Sequence, residues 1–205
     1  MDPAVTNVLA MYEQRAAREQ QILHSSPEQF MAHIDDYLIC VGPEAGQLLH
    51  LLVVGRKAQV ILELGCAYGY STLWLADAAR ITGGQVHSLE LSGKKVDYAR
   101  EQLAAAGLAS YVEFHLGDAL ATLPTLAGPF DLVLLDLWKN LYCPCLELFH
   151  PRLSAGALVV ADNMTFPAAA RPDAKAYQQL VRTKSDLESV LLPIGNGIEV
   201  SRRRD

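Results

Sequence analysis

Two short stretches carry side chains that could do chemistry together. Asp136 and Lys139 lie in Asp136-Leu137-Trp138-Lys139, and Asp162-Asn163 follows further along the chain. Each pair closes an apolar run of strand length, FDLVLLD (130–136) and ALVVAD (157–162). Neighbouring strands of one sheet lie ~4.8 Å apart, so two adjacent strand ends would bring these groups to one rim. Two carboxylates and an amide oxygen are hard ligands, suited to Mg2+ with positions left for water or substrate. Without a cation the two carboxylates would repel each other. The competing reading of Asp162-Asn163 is the start of a turn. Lys139 shares the rim. A lysine beside a divalent cation and partly desolvated should titrate below the usual value of about 10.4, toward a useful base. Otherwise it is a surface lysine.

A second constellation precedes the first. The run QVILEL (59–64) ends in Glu63-Leu64-Gly65-Cys66-Ala67-Tyr68-Gly69-Tyr70-Ser71. Gly65 and Gly69 can turn tightly and admit a ligand to the backbone, and Ser71 opens the next helix. The following run, QVHSLEL (85–91), delivers Glu90 where it could accept hydrogen bonds from two ribose hydroxyls. A third strand ends in Gly117-Asp118-Ala119, where a carboxylate could accept an adenine amino group. These features call for an adenosine-type nucleoside. The G-x-x-x-G spacing lacks the G-x-G-x-x-G of a pyrophosphate site, which favours S-adenosylmethionine over a dinucleotide. Glu63 reads either as cofactor support or as a surface or helix-capping residue.

The elements that must position these groups form one domain, residues 1–205, by length. Residues 1–56 read as a helical N-terminal segment, with breaks at Ser26-Pro27 and Gly42-Pro43. Residues 57–205 read as a core in which strand-length apolar runs alternate with helical stretches. Continuous rather than alternating apolarity marks strands buried on both faces, as in a parallel sheet covered by helices. LESVLLP and GIEVSRR flank the turn Ile194-Gly195-Asn196, so the last two strands should form an antiparallel hairpin. The expectation is α/β: a doubly wound, Rossmann-like, seven-stranded mixed sheet with a C-terminal antiparallel hairpin and N-terminal helices.

LLDLWKNLY with VVADN, behind LELGCAYGYS, resembles the metal-dependent O-methyltransferases, namely catechol O-methyltransferase and its caffeoyl-CoA-type relatives. The resemblance runs from about Val41 to the final hairpin. It implies Asp136, Asp162 and Asn163 as metal ligands, Mg2+ being the expected ion, and Lys139 as catalytic base. It implies cofactor contacts at Val41, Glu63, Gly65, Ser71, Glu90, Asp118 and Ala119. Ala67, Gly69, Tyr70, Leu91, Gly117, Asp136 and Trp138 complete that set. Trp138 and Pro167, with Tyr37 and Lys139, fall where the family walls its aromatic pocket. The order Asp-Leu-Trp-Lys is nearer the catechol branch than the Asp-Ala-Asp-Lys common in caffeoyl-CoA enzymes. Two departures bear on the acceptor: Ala67 replaces a bulkier aromatic, and the stretch after Asn163 lacks the glycine-containing loop of caffeoyl-CoA-type relatives.

The expected partner is therefore a small hydroxylated aromatic molecule. With 17 basic against 23 acidic residues and a net charge of -6, a polyanion is a poor fit. That counts against the rival of a tRNA hydroxyuridine O-methyltransferase. A caffeoyl-CoA-type acceptor remains a rival, a non-catalytic adenosylmethionine-binding module a weaker one. The glycine spacing and terminal hairpin discourage an NAD-dependent oxidoreductase. Arg202 to Arg204 read as a solvated tail. Cys40, Cys66, Cys143 and Cys145 fit neither a disulfide framework nor a paired zinc site, and no apolar run is long enough to span a membrane. With no secretory signal, the expected location is the cytoplasm. The apolar residues within 5–24 need a covering surface, either a second copy in a homodimer or the chain's own domain.

Overall fold

In a computed structural model, residues 1–204 are described. The elements in chain order are α1 (Pro3–Ser25), α2 (Pro27–Ala32), α3 (Pro43–Arg56), β1 (Val60–Leu64), α4 (Tyr70–Thr82), β2 (Gln85–Glu90), α5 (Gly93–Ala105), β3 (Val112–Leu116), α6 (Ala119–Thr122), β4 (Phe130–Leu135), α7 (Tyr142–Phe149), β5 (Leu153–Ala161), α8 (Arg171–Thr183), β6 (Leu187–Leu192) and β7 (Ile198–Arg203). The strands form one sheet in the order β3-β2-β1-β4-β5-β7-β6. The first five strands in that order run parallel; β7 lies antiparallel to both β5 and β6. Strand order reverses between β1 and β4, so a ligand crevice is expected beyond their carboxyl ends.

Both faces of the central strands are buried, as their unbroken apolarity requires. Ile61, Val86, Leu132, Leu134 and Val160 pack with Leu49, Val53 and Leu75 from α3 and α4. Leu62, Leu64, Leu89, Val133 and Leu135 pack on the other side with Phe149 of α7 and Tyr177 and Val181 of α8. On α1, Val5, Val8, Leu9 and Tyr12 share one helical face and pack with Tyr68, Tyr70 and Leu73. The chain's own domain therefore covers that stripe, although Met11 stays exposed.

Arg202 to Arg204 correct the sequence expectation. Of the three, only Arg204 lies beyond the sheet: Arg202 and Arg203 end β7, opposite Leu158 and Leu187. Acidic partners explain why a strand tolerates them, with Arg203 Nε 3.3 Å from Asp186 and Arg202 3.3 Å from Glu188. β5 also starts earlier than its apolar run, at Leu153. Gly156 at φ 70° and a register shift opposite Phe130 and Leu132 interrupt the strand pattern there.

At the amino ends of the strands, Asp131 ties three of them together. Its carboxylate accepts from the backbone of Gln59 (2.8 Å) and Val60 (3.1 Å) and from the Ser154 hydroxyl (2.7 Å). Burial opposes ionisation, but these donors and Arg56 outweigh it and hold the carboxyl below its ordinary range. A depressed carboxylate stabilises the fold above the unfolded-state pKa, and the benefit is lost as pH falls through the folded value. Asp131→Asn should therefore cost ~1–3 kcal/mol at neutral pH. In urea melts the gap from wild type should close below about pH 4, near the unfolded pKa. A gap unchanged across pH would assign the loss to packing instead.

Candidate active site at the strand rim

The exit of β1 is built around a buried acid. Glu63 has no exposed surface. It accepts from the hydroxyls of Ser71 (2.6 Å), Thr72 (2.7 Å) and Ser88 (2.6 Å), linking β1 to the first turn of α4 and to β2. Burial raises its pKa and the three donors pull it back. Glu63 is thus no surface residue; it fixes the turn from Gly65 to Gly69 from beneath. Gly65 sits at φ 89°, and a Cβ there would lie 2.5 Å from the Asp136 carbonyl oxygen. Only glycine allows this conformation and this close approach of the β1 and β4 exits.

Glu90 closes the same turn from the β2 side. Its carboxylate accepts from the backbone N–H of Ala67 (2.9 Å), Leu91 (2.9 Å) and Ser92 (3.0 Å). Gly117 donates its N–H to the Glu90 carbonyl at 2.9 Å, which sets Asp118 and Ala119 beside it. One oxygen of Asp118 caps α6 through Ala121 at 3.0 Å. Val41 is partly buried against the cluster that holds Tyr68 and Tyr70. The Tyr70 hydroxyl donates to Glu13 of α1 at 3.2 Å. Sequence-expected residues of the nucleoside site thus come together around Gly65, Ala67, Glu90 and Gly117.

The neighbouring rim carries the second constellation. Leu135 and Ala161 are register partners on β4 and β5, so Asp136 and Asp162 leave the sheet side by side. The Asn163 amide donates to Asp136 at 3.3 Å, and its oxygen accepts from Asn196 at 3.0 Å. Asn163 sits at φ 55°, in the left-handed region that asparagine tolerates. Burial and then the charge of Asp162 push Asp136 well above the ordinary carboxylate range. Burial pushes Asp162 up to about 6. Two acids that resist joint ionisation, one half-buried and one buried, beside an amide whose half-turn would present its oxygen to Asp136's side, fit a hard divalent cation.

Lys139 is buried, not a surface lysine. Its Nζ lies 2.5 Å from the Tyr142 hydroxyl and 3.4 Å from the Leu137 carbonyl. Burial lowers its pKa, against the opposing pull of Asp136 and Asp162. Sequence reasoning missed Tyr142, which is fully buried. Its hydroxyl lies 2.8 Å from the Leu135 carbonyl and 3.1 Å from that of Asp162, so it anchors the amine to both strand ends. The available signal was apolar spacing: Tyr142, Cys145, Leu146 and Phe149 form one helical face. Among the expected pocket walls, Trp138 is 65% exposed beside the rim. Tyr37 stacks on Phe30 with ring centroids 4.3 Å apart, and Pro167 precedes the short turn that leads into α8. These walls sit on three separate segments.

Residues 62–164 match the methyltransferase domain family model, a span containing both constellations. The chain belongs to the methyltransferase domain family. The catechol O-methyltransferase of Mycobacterium tuberculosis is 41% identical over 127 residues, covering 62% of this chain and 57% of that protein. That of Niastella koreensis is 38% identical over 130 residues, covering 62% and 58%. The chain thus spans less than two thirds of these curated relatives. Among solved structures, cofactor-bound Rv0187 from MTB superposes with a TM-score of 0.78 at 30% identity, covering 100% of this chain and 91% of the other. TomG from Streptomyces achromogenes, solved with SAM, gives 0.78 at 28%, with the same coverage.

If Gly65 is the hinge between the two constellations, Gly65→Ala should disturb both. Its Cβ would force apart two backbones in the most crowded part of the rim, at a cost of ~1–3 kcal/mol. Calorimetry should show at least tenfold weaker adenosylmethionine binding and a lower Tm. Unchanged affinity would place the nucleoside away from this turn.

Proposed function

We propose that this protein transfers a methyl group from S-adenosylmethionine to one hydroxyl of a catechol-like small molecule, with the help of a divalent cation such as Mg2+. The observation that carries this reading is the convergence on one rim, beside the Gly65 turn, of Asp136 and Asp162 at paired strand ends, Asn163 bonded to Asp136, and Lys139 tied through Tyr142 to the Asp162 carbonyl. The names of the Mycobacterium and Niastella relatives support the acceptor class.

In this reading Asp136, Asp162 and Asn163 hold the cation, which when bound supplies Lewis acidity to a vicinal diol. Adenosylmethionine supplies the sulfonium methyl. The chain's residues do the rest. Glu90 and Asp118 orient the nucleoside through their remaining acceptor capacity. The Lys139 amine, with its pKa lowered by burial, takes the hydroxyl proton at Nζ. The resulting ammonium can donate to Tyr142 and to the Leu137 carbonyl without leaving the rim. Tyr142, fastened to the ends of β4 and β5, keeps the amine aimed. Trp138, exposed beside the rim, offers the acceptor an aromatic wall. Most of the acceleration comes from holding oxygen, methyl carbon and sulfur in line.

A panel of catechols, caffeoyl esters and monophenols, assayed for methyl transfer with and without Mg2+, tests the reading. Catechols should be methylated only with the ion present. Equal turnover in chelator, or a preference for monophenols, would overturn it. The base assignment has its own test. Lys139→Met keeps the stem and removes the amine, so the maximal rate should fall ~100-fold or more. The deficit should shrink as pH rises, and adenosylmethionine affinity should hardly change. A mutant matching wild type in rate and pH profile would make Lys139 a bystander.

A further inference from the structure

A cluster of metal-ligand type lies outside the rim, on the other half of the sheet. β3 is an edge strand, paired in parallel with β2. His87 of β2 faces Glu113 of β3, and His115 follows Glu113 by two residues, so all three side chains share one face. Phe114, between them, turns to the opposite face beneath the Arg100 guanidinium. His87 Nδ1 and His115 Nε2 are 3.2 Å apart. Glu113 oxygens lie 3.5 Å from the first nitrogen and 3.8 Å from the second. The imidazoles are mostly covered, at 23% and 18% side-chain exposure, while the carboxylate is 59% exposed.

We propose that His87, Glu113 and His115 form a second metal site, for one borderline transition-metal ion of the zinc class. Zinc holds imidazole nitrogen and carboxylate oxygen at ~2.0–2.2 Å, which puts neighbouring donors of a tetrahedron about 3.4 Å apart. The nitrogen pair at 3.2 Å and Glu113 Oε2 at 3.5 Å from His87 Nδ1 lie on either side of that value, while His115 Nε2 is 3.8 Å from the other oxygen, Oε1. Two nitrogens and one oxygen make a softer set than the all-oxygen rim, so the two sites sort zinc from magnesium by ligand type. Three protein ligands leave the fourth position for water, on the side where Glu113 meets solvent. The bland alternative is an ordinary pair of stacked histidines sharing one proton; their rings are tilted 29° with centroids 5.4 Å apart. The carboxylate within reach of both facing nitrogens favours an ion. The site would clamp the edge strand β3 to β2, the two strands that deliver Gly117-Asp118 and Glu90. Its existence does not depend on the proposed reaction.

The test titrates Zn2+ into the untagged full-length protein against a chromogenic zinc indicator, with saturating Mg2+ occupying any oxygen site. Wild type should take up one tight equivalent, and Co2+ in its place should give the intense visible bands of a tetrahedral ion. His87→Gln and His115→Gln should each weaken zinc ~100-fold or more, beyond the loss usual for an outer-shell partner. Zinc should raise the Tm of wild type and leave that of the histidine variants unchanged. Should a histidine variant fail to fold, Glu113→Gln carries the test, since its exposed side chain can change without disturbing the core; it should weaken zinc ~10-fold. Zinc affinity unchanged in these variants, zinc lost instead in Asp136→Asn, or no tight equivalent in wild type would each overturn the proposal.

Discussion

The buried carboxylate of Glu63 is the constraint on which the site depends. A carboxyl group with no solvent contact is tolerated only if it is hydrogen-bonded within the protein, and Ser71, Thr72 and Ser88 supply those bonds. Those three hydroxyls belong to the start of α4 and the middle of β2. One acid therefore fixes a strand exit, a helix entrance and a neighbouring strand at once. With these held, the turn between them has little freedom, and Gly65 can lie against the Asp136 carbonyl. The proposed nucleoside half and the proposed metal half of the rim meet at that contact.

Across it, burial sets the chemistry. Asp136 and Asp162 are raised because they are desolvated, and Lys139 is lowered for the same reason. In water all three would be charged and unremarkable. At this rim the acids gain from a cation, and the amine is eased toward the neutral form a base requires. Tyr142 couples the two effects, since its one hydroxyl meets the amine and the carbonyls of both strand ends.

Much of this was legible in the chain. Unbroken apolar runs gave the parallel strands, the Ile194-Gly195-Asn196 turn gave the terminal hairpin, and residues ending the runs gave the rim. This follows from the sheet's own geometry, because a parallel strand buried on both faces announces its length and its polar terminus together. Other features were harder to see. The three hydroxyls on Glu63 come from positions that look unrelated in sequence, and Tyr142 reads as one more aromatic until β4 and β5 are adjacent. α7 and α8 carried a usable signal: Ala174, Tyr177 and Val181 recur at helical spacing behind Pro172. Arg202 and Arg203 looked like a tail because nothing local announces that Asp186 and Glu188 lie opposite them.

In the proposed reaction Asp136, Asp162 and Asn163 hold one divalent cation. Electron paramagnetic resonance of Mn2+, a hard ion suited to oxygen ligands, measures this without any turnover. Titration of the wild-type protein should quench the free-ion signal with one equivalent bound, and Mg2+ should restore it by competition. Asp136→Asn and Asp162→Asn should each abolish the quenching while His87→Gln leaves it intact. Binding that survives both aspartate substitutions, or none in the wild type, would contradict the account.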